Sequence, residues 1–395
     1  MNLTDPQQRL LDGNRGEMVR RLMRLLVRLG EAFGAERLVE IVSAQVSGVS
    51  FKSIGAPGLA FLEDVAAQGA RVAVPTTLNP AGMDLENWRT LGVPEDFAEK
   101  QNRIIAAFEQ MGVTATVTCT PYYAGNVPRR GEHVAWAESS AVSFANSVLG
   151  ARTNREGGPS ALAAAVCGCT PCHGLHLDAG RRPTIRVAVG TVLESRADFG
   201  ALGHYVGRRV RDGVPYFTGI PAASWDDLKS LGAAMAASGA VGLYHVENLT
   251  PEAHLHDAEG LESIAVTRTD LDETYERLSG EAAPDLLVLG CPHASLEEIG
   301  ELAERLEGRQ LTTPLWICTS RAVKKAAAAR GLVRIIEDAG GRVVADTCMV
   351  VSPIEQMGFT CCAVDSGKAA HYLPGFCKQN VVFGDLDSLL GKALS

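Results

Sequence analysis

Ten of the 395 residues are cysteines, and a thiol acts as nucleophile, redox centre or metal ligand only as a thiolate held in a suitable place. Two arrangements could do such chemistry. The first is local: Cys167-Gly168-Cys169-Thr170-Pro171-Cys172-His173 contains C-x-x-C-H, the attachment pattern of c-type haem, within a C-x-C-x-x-C run that could hold zinc or cycle with a disulfide. Haem attachment belongs outside the cytoplasm. The chain opens Met1-Asn2-Leu3-Thr4-Asp5-Pro6-Gln7, polar from the start, without the basic-then-apolar order of a secretory leader. A second C-x-x-C pair at zinc spacing is missing. These thiols are therefore expected to be incidental ones beside an active-site loop. A non-catalytic metal-storage or redox module is the rival reading of the run.

The second arrangement is dispersed. Cys119 follows Val113 to Thr118, Cys291 follows Leu286 to Gly290, and Cys348 follows Val343 to Thr347. Each run reads as a short strand, so each cysteine is expected to end a strand and open a loop, where open α/β sheets bind their ligands. Three thiolates from distant strands suit an iron-sulfur cluster that keeps one coordination position open. The competing reading is three small buried hydrophobes, the usual fate of free cysteine. Beyond Cys291, Ser295 and Glu298 form a capping box. The dipole of that helix start is expected to lower the Cys291 thiol pKa.

Positioning such groups takes sheets and helices, and both are legible. Asp5-Pro6 with Gln7 to Leu11 and then Gly13 predicts a short capped helix. Met18, Leu22, Leu25 and Leu29, with Arg20, Arg21, Arg24 and Arg28 between them, predict a longer helix with one apolar and one solvated basic face. Strands are expected at Arg71 to Val74, Val113 to Thr118, Ile185 to Val189, Val241 to Val246, Leu286 to Leu289, Leu315 to Cys318 and Val343 to Ala345, separated by helical stretches. That alternation predicts an α/β fold of mainly parallel sheets flanked by helices, in two or three lobes. One catalytic region is expected to fill residues 1–395, with an inner lobe at about 190–278.

Composition bounds the partners. With 46% hydrophobic and 21% charged residues there is ample material for a large core. A net charge of -9 with scattered basic residues argues against DNA or RNA as substrate. The apolar runs are broken before they reach membrane-spanning length, so no membrane association is expected and the cytoplasm is the expected compartment.

Six ordered motifs carry a family resemblance: Ala44 to Phe51 (AQVSGVSF), Val74 to Pro80 (VPTTLNP), Asn146 to Gly158 (NSVLGARTNREGG), Leu289 to His293 (LGCPH), Asp346 to Cys348 (DTC) and Ser366 to Tyr372 (SGKAAHY). Together they closely resemble aconitase X over nearly the whole length. The resemblance implies an aconitase-like fold and a dehydratase that binds an iron-sulfur cluster through Cys119, Cys291 and Cys348. An open iron site would act as Lewis acid on the leaving hydroxyl of a small anionic hydroxy acid. It further implies that Gly48, Val49 and Ser50, with Asn79 and Pro80, form substrate-binding loops, and that Arg152, Arg155 and Lys368 hold a carboxylate. The three close thiols at Cys167, Cys169 and Cys172 depart from the family pattern. Fused members carry an extra swivelling domain that bears the proton-abstracting Ser. Here that domain is expected on a separate small subunit, leaving the catalytic base outside this chain. Two substrates fit, cis-3-hydroxy-L-proline and mevalonate 5-phosphate. No phosphate-ligating motif is evident, which favours the amino acid.

Overall fold

The computed structural model describes residues 1–394. Its first helix, Asp5–Leu11, starts at Thr4, whose side chain accepts from the Gln7 N–H in a capping box. The next, Glu17–Ala32, buries Met18, Val19, Leu22, Met23, Leu26 and Gly30. The apolar stripe is thus rotated from the expected one. Met23 and Leu26 are fully enclosed, while Leu25 and Leu29 are half-buried at its edge. Both stripes have helical period, and packing decides between them, chiefly against the Gly158–Cys167 helix. Arg21, Arg24 and Arg28 face solvent as expected.

Four sheets follow. Strands Thr76–Leu78, Ala44–Val46 and Ala135–Trp136 form a three-stranded parallel sheet, and Leu38–Glu40 pairs antiparallel with Cys169–Pro171. A second parallel sheet runs His245–Val246, Pro215–Thr218, Ile185–Val189, Ser263–Val266. The third is five-stranded and wholly parallel, in the order Gly341–Ala345, Leu315–Thr319, Leu286–Leu289, Cys361–Val364, Asn380–Phe383. Parallel pairing requires crossover helices, which is why these strands read as short apolar runs between helical stretches.

Two expected strands did not form. Arg71 to Val74 lies just before the strand Thr76–Leu78 instead of in it. Val113 to Thr118 is held beside that strand by one bridge at Thr114 and by the Thr118 N–H on Leu78 O (2.8 Å), because Val117 has φ +47° and breaks the pleat.

The unit from Ile185 to Leu278 begins in a strand and shares its core with the third sheet. Val187, Phe217 and Leu231 belong to one apolar cluster with Leu286, Val288 and Val364. Within it the helices Arg196–Val210 and Trp225–Gly239 touch backbone to backbone. A Cβ at Gly239 would overlap the Gly207 carbonyl, so only glycine permits the crossing. Residues 1–179 keep a separate core of Leu22, Leu62, Ile104, Phe108 and the alanine-rich Gly158–Cys167 helix.

Candidate active site

The carboxyl ends of two parallel sheets point into one cavity of about 260 Å³. The three-stranded sheet delivers Ser47 after Val46, Asn79 and Pro80 after Leu78, and Glu138 shortly after Trp136. The five-stranded sheet delivers Cys291 after Leu289, Cys348 after Ala345 and Lys368 after Val364. Cys119 enters from the extended segment beside Thr76–Leu78. Arg155, Tyr372 and Phe376 complete the wall.

Each of the three cysteines is preceded by left-handed backbone: Val117 (φ +47°), Gly290 (φ +84°) and Asp346 (φ +65°). At Gly290 a Cβ would overlap the Cys318 carbonyl, so the turn admits glycine alone. Val117 and Asp346 bear the strain of that conformation, which persists only where the surroundings impose it. Asp346 is fixed on both sides: its carbonyl accepts from the Ala81 N–H (2.8 Å) and its carboxylate pairs with Arg321.

The thiols themselves are buried, with Cys119 4%, Cys291 7% and Cys348 7% exposed. Burial pushes Cys119 up to about 12 and Cys291 well above the usual thiol range, and raises Cys348; Lys368 opposes this in all three. The expected depression of Cys291 by the helix start at Leu296 is overridden, because loss of hydration outweighs a helix dipole. Such thiols ionise only against a cation that replaces the lost water.

Among the described residues no three Cys, His, Asp or Glu side chains close around a point as a single ion requires. The chemistry of the donor set fits an iron-sulfur cluster, which Cys119, Cys291 and Cys348 would hold through their thiolates. Three cysteines share one cavity, the His293 N–H donates to Cys119 Sγ (3.2 Å), and the Lys368 ammonium stands near the sulfurs.

Beside the thiols lies a buried polar set. Lys368 forms an ion pair with Glu138 and donates to Ser140 Oγ (3.1 Å), and Asn79 Nδ2 donates to the other Glu138 oxygen (2.7 Å). Burial alone would raise the Glu138 carboxyl. The Lys368 charge and the hydrogen bonds from Lys368, Asn79 and the Ser140 N–H outweigh it and hold the pKa at about 2. Asn79 Oδ1, by contrast, is buried without a partner.

The cavity therefore brings together Asn79, Pro80, Arg155, Lys368, Cys119, Cys291 and Cys348, and leaves out the others. Gly48, Val49 and Ser50 lie behind the wall. Val49 O accepts from Gln101 Nε2 (2.9 Å), and Ser50 Oγ donates to Val351 O (2.8 Å), bracing the loop after Cys348. Arg152 points elsewhere, donating to His176 O (3.0 Å) and pairing with Asp178. Sequence reasoning missed Ser47, Glu138 and Tyr372. Glu138 follows a strand of only two residues, too short to read. Tyr372 was findable, since it stands one helical turn after Lys368 in the helix Gly367–Cys377 and must share its face.

The local cysteine run lies outside this site. Cys167 and Cys169 pack in the core of residues 1–179, and burial pushes both up to about 12. Cys172 is buried as well. They are core residues of the lobe, not thiols beside the active-site loop.

Comparison with known proteins identifies the family. Family models for the first, second and third domains of aconitase X match residues 1–179, 183–276 and 284–395. The chain is 53% identical to the phosphomevalonate dehydratase large subunit of Methanocaldococcus jannaschii, covering 99% of both chains. It is 36% identical to the cis-3-hydroxy-L-proline dehydratase of Pseudomonas aeruginosa over 96% of this chain but 67% of that longer protein. The crystal structure of the holo-form of Thermococcus kodakaraensis aconitase X matches with a TM-score of 0.94 at 45% identity, covering 100% of each chain. Three matched domains, relatives that are dehydratases and a cavity built from the same motifs make this chain a hydro-lyase, and it belongs to the aconitase X family.

Proposed function

We propose that this chain is the large, cluster-bearing subunit of a cytoplasmic phosphomevalonate dehydratase that eliminates water from mevalonate 5-phosphate. The convergence of Cys119, Cys291 and Cys348 on one cavity with Lys368, Glu138 and Asn79 carries the reading. The substrate preference reverses the one drawn from the sequence. Identity of 53% to the phosphomevalonate enzyme against 36% to the hydroxyproline enzyme favours the phosphorylated acid. A glycine-rich phosphate loop is not needed for it. Among the described residues of the cavity wall, Arg155 is an exposed cation with no acidic partner, whereas Lys368 is neutralised by Glu138.

Cys119, Cys291 and Cys348 would hold an iron-sulfur cluster, which when bound would supply Lewis-acid chemistry for the departing hydroxyl. The chain's own groups do the rest of the holding. Arg155 binds an anionic end of the substrate. Asn79 Oδ1, otherwise unsatisfied, accepts a hydrogen bond from it. Lys368 keeps the thiolates and the Glu138 carboxylate charged together in a dry site.

Glu138, held at about 2, is too weak a base to take a proton from carbon. That step falls to the Ser of a small swivel-domain subunit, whose docking completes and closes the site. The cavity mouth suits such a partner. Phe376 in its wall is 47% exposed. Apolar crevices rimmed by Phe61 and Phe33 adjoin it through Ser47 and Arg155. No described helix is long and apolar enough to cross a membrane.

The test is to purify the chain without oxygen, alone and with its small subunit, and to offer both substrates. Dehydration of mevalonate 5-phosphate by the pair, and by neither chain alone, is expected. Turnover of cis-3-hydroxy-L-proline in its place overturns the substrate assignment.

A further inference from the structure

His293 is fully buried and has no place on the cavity wall, yet it stands on the Cys291 loop and its hydrogen bonds reach the other two cysteine loops. Nε2 lies 2.9 Å from the Thr347 carbonyl, which can only accept, so Nε2 carries a proton and donates it. Nδ1, 2.9 Å from Thr118 Oγ1, is then the acceptor and the hydroxyl the donor. Thr118 Oγ1 meanwhile accepts from the Thr120 N–H (3.1 Å), which leaves its proton free for the imidazole. The His293 backbone N–H donates to Cys119 Sγ (3.2 Å), and its carbonyl accepts from the buried Lys229 ammonium (3.4 Å).

Thr118 and Thr347 are the residues just before Cys119 and Cys348, and His293 is two residues after Cys291. Main-chain bonds tie each loop to its own neighbours, as from Ala294 N–H to Cys318 O (2.9 Å), Asp346 N–H to Thr319 O (3.2 Å) and Thr118 N–H to Leu78 O (2.8 Å), whereas His293 joins the cysteine loops directly to one another. The strands leading to Cys291 and Cys348 are not neighbours, since Leu315–Thr319 runs between them. Two strand spacings amount to about 10 Å, too far for backbone pairing. The Cys119 segment belongs to a different core altogether. A planar ring with a donor at one edge and an acceptor at the other spans that gap at fixed length.

From this geometry we propose that His293 is the positioning residue that sets the spacing of the three thiols for the iron-sulfur cluster, a role resting on the cluster reading above. It acts through Thr118, Thr347 and the bond from its own backbone N–H to Cys119 Sγ, and does not touch substrate. Outer partners of this kind typically change metal retention about 10–100-fold.

The test uses the full chain with its small subunit, reconstituted with iron and sulfide without oxygen. The readouts are iron and sulfide per chain, the electron paramagnetic resonance signal of the reduced cluster and the rate of cluster loss to a chelator. His293→Phe keeps the volume and removes both ring bonds. His293→Gln keeps a donor for Thr347 O, and Thr118→Val removes the other end alone. Cluster loss about 10–100-fold faster in H293F, an intermediate rate in H293Q and T118V, and an unchanged KM in the chains that remain loaded are expected. If H293F does not fold, the two milder variants decide. Unchanged loading, signal and loss rate in variants that fold overturn the role of His293 while leaving the cluster in place. Wild-type protein that takes up no iron or sulfide overturns the cluster reading and this role together.

Discussion

Two regions of this protein gather buried cysteines, and they differ in everything except burial. Cys167, Cys169 and Cys172 stand within six residues of chain, from the end of one helix to just past one short strand; all three are buried, and the first two pack in the core of a single lobe. Cys119, Cys291 and Cys348 are separated by 172 and 57 positions, enter from three segments, and share a cavity with a buried lysine. The difference lies in backbone direction. Adjacent cysteines on a strand alternate sides and on a helix rotate away, so close spacing does not bring sulfurs together. Strand ends in parallel sheets all face one way, so distant cysteines meet there. Both groups have thiols raised by burial, but the cation near the dispersed group, Lys368, is buried with the sulfurs, whereas Arg15, which acts on Cys167, is exposed to solvent.

The largest expected effect separates the two groups outright. Cys119→Ser, Cys291→Ser and Cys348→Ser should each abolish the visible absorption of the cluster and turnover with it. Cys167→Ala, Cys169→Ala and Cys172→Ala should keep both and lose only about 1 kcal/mol of stability apiece. Retained cluster in the first set, or loss of it in the second, breaks the comparison.

Next comes the cation that distinguishes the regions. Lys368→Met strands the Glu138 carboxylate among buried groups and should cost about 3–5 kcal/mol in denaturant melts. The double change with Glu138→Gln should recover a good part of that. The sign of its pH dependence follows from the depressed carboxyl. Glu138 contributes stability that is present above its unfolded pKa and lost as pH falls from about 4.5 toward about 2. An equal loss in both single and double variants would show that the pair is not coupled.

Arg155→Ala should raise KM for mevalonate 5-phosphate about 10–100-fold with little change in melting, because the side chain is exposed and its one protein contact is a long hydrogen bond to Ala236 O (3.5 Å). An unchanged KM removes Arg155 from the site.

A smaller effect belongs to the lobe of the local run. His176, pushed by burial and then by His133 and His173 down to about 3, stays neutral in the fold, while the unfolded chain takes up a proton near pH 6.5. Its stabilising contribution is therefore lost as pH falls below about 6.5, by roughly 1.4 kcal/mol per unit. His176→Asn should flatten the dependence of the unfolding midpoint between pH 6.5 and 5, and an unchanged slope would contradict the assignment. The smallest effect is that of Arg152→Ala. It loses an ion pair to an exposed Asp178 and should cost at most about 1 kcal/mol without altering KM.

The sequence by itself determined the fold class and the capped first helix, and it singled out Cys119, Cys291 and Cys348, because each is signalled by a local pattern: apolar runs, capping residues, and a cysteine placed just after an apolar extended run. Asn79, Pro80, Arg155 and Lys368 were legible from family motifs. Tertiary structure alone decided which side of an extended segment meets the cavity. It set Arg155 on the wall and turned Arg152 away, and it placed Ser47 there while leaving Gly48, Val49 and Ser50 behind it. It also moved the buried stripe of the Glu17–Ala32 helix to Met23 and Leu26 and drew Cys167 and Cys169 into the core. Glu138 and His293 were beyond the reach of local reasoning for one physical reason. Their partners, Lys368 for the one and Thr118 and Thr347 for the other, lie more than fifty residues away in the chain, and only packing brings a donor and an acceptor that far apart within 3 Å.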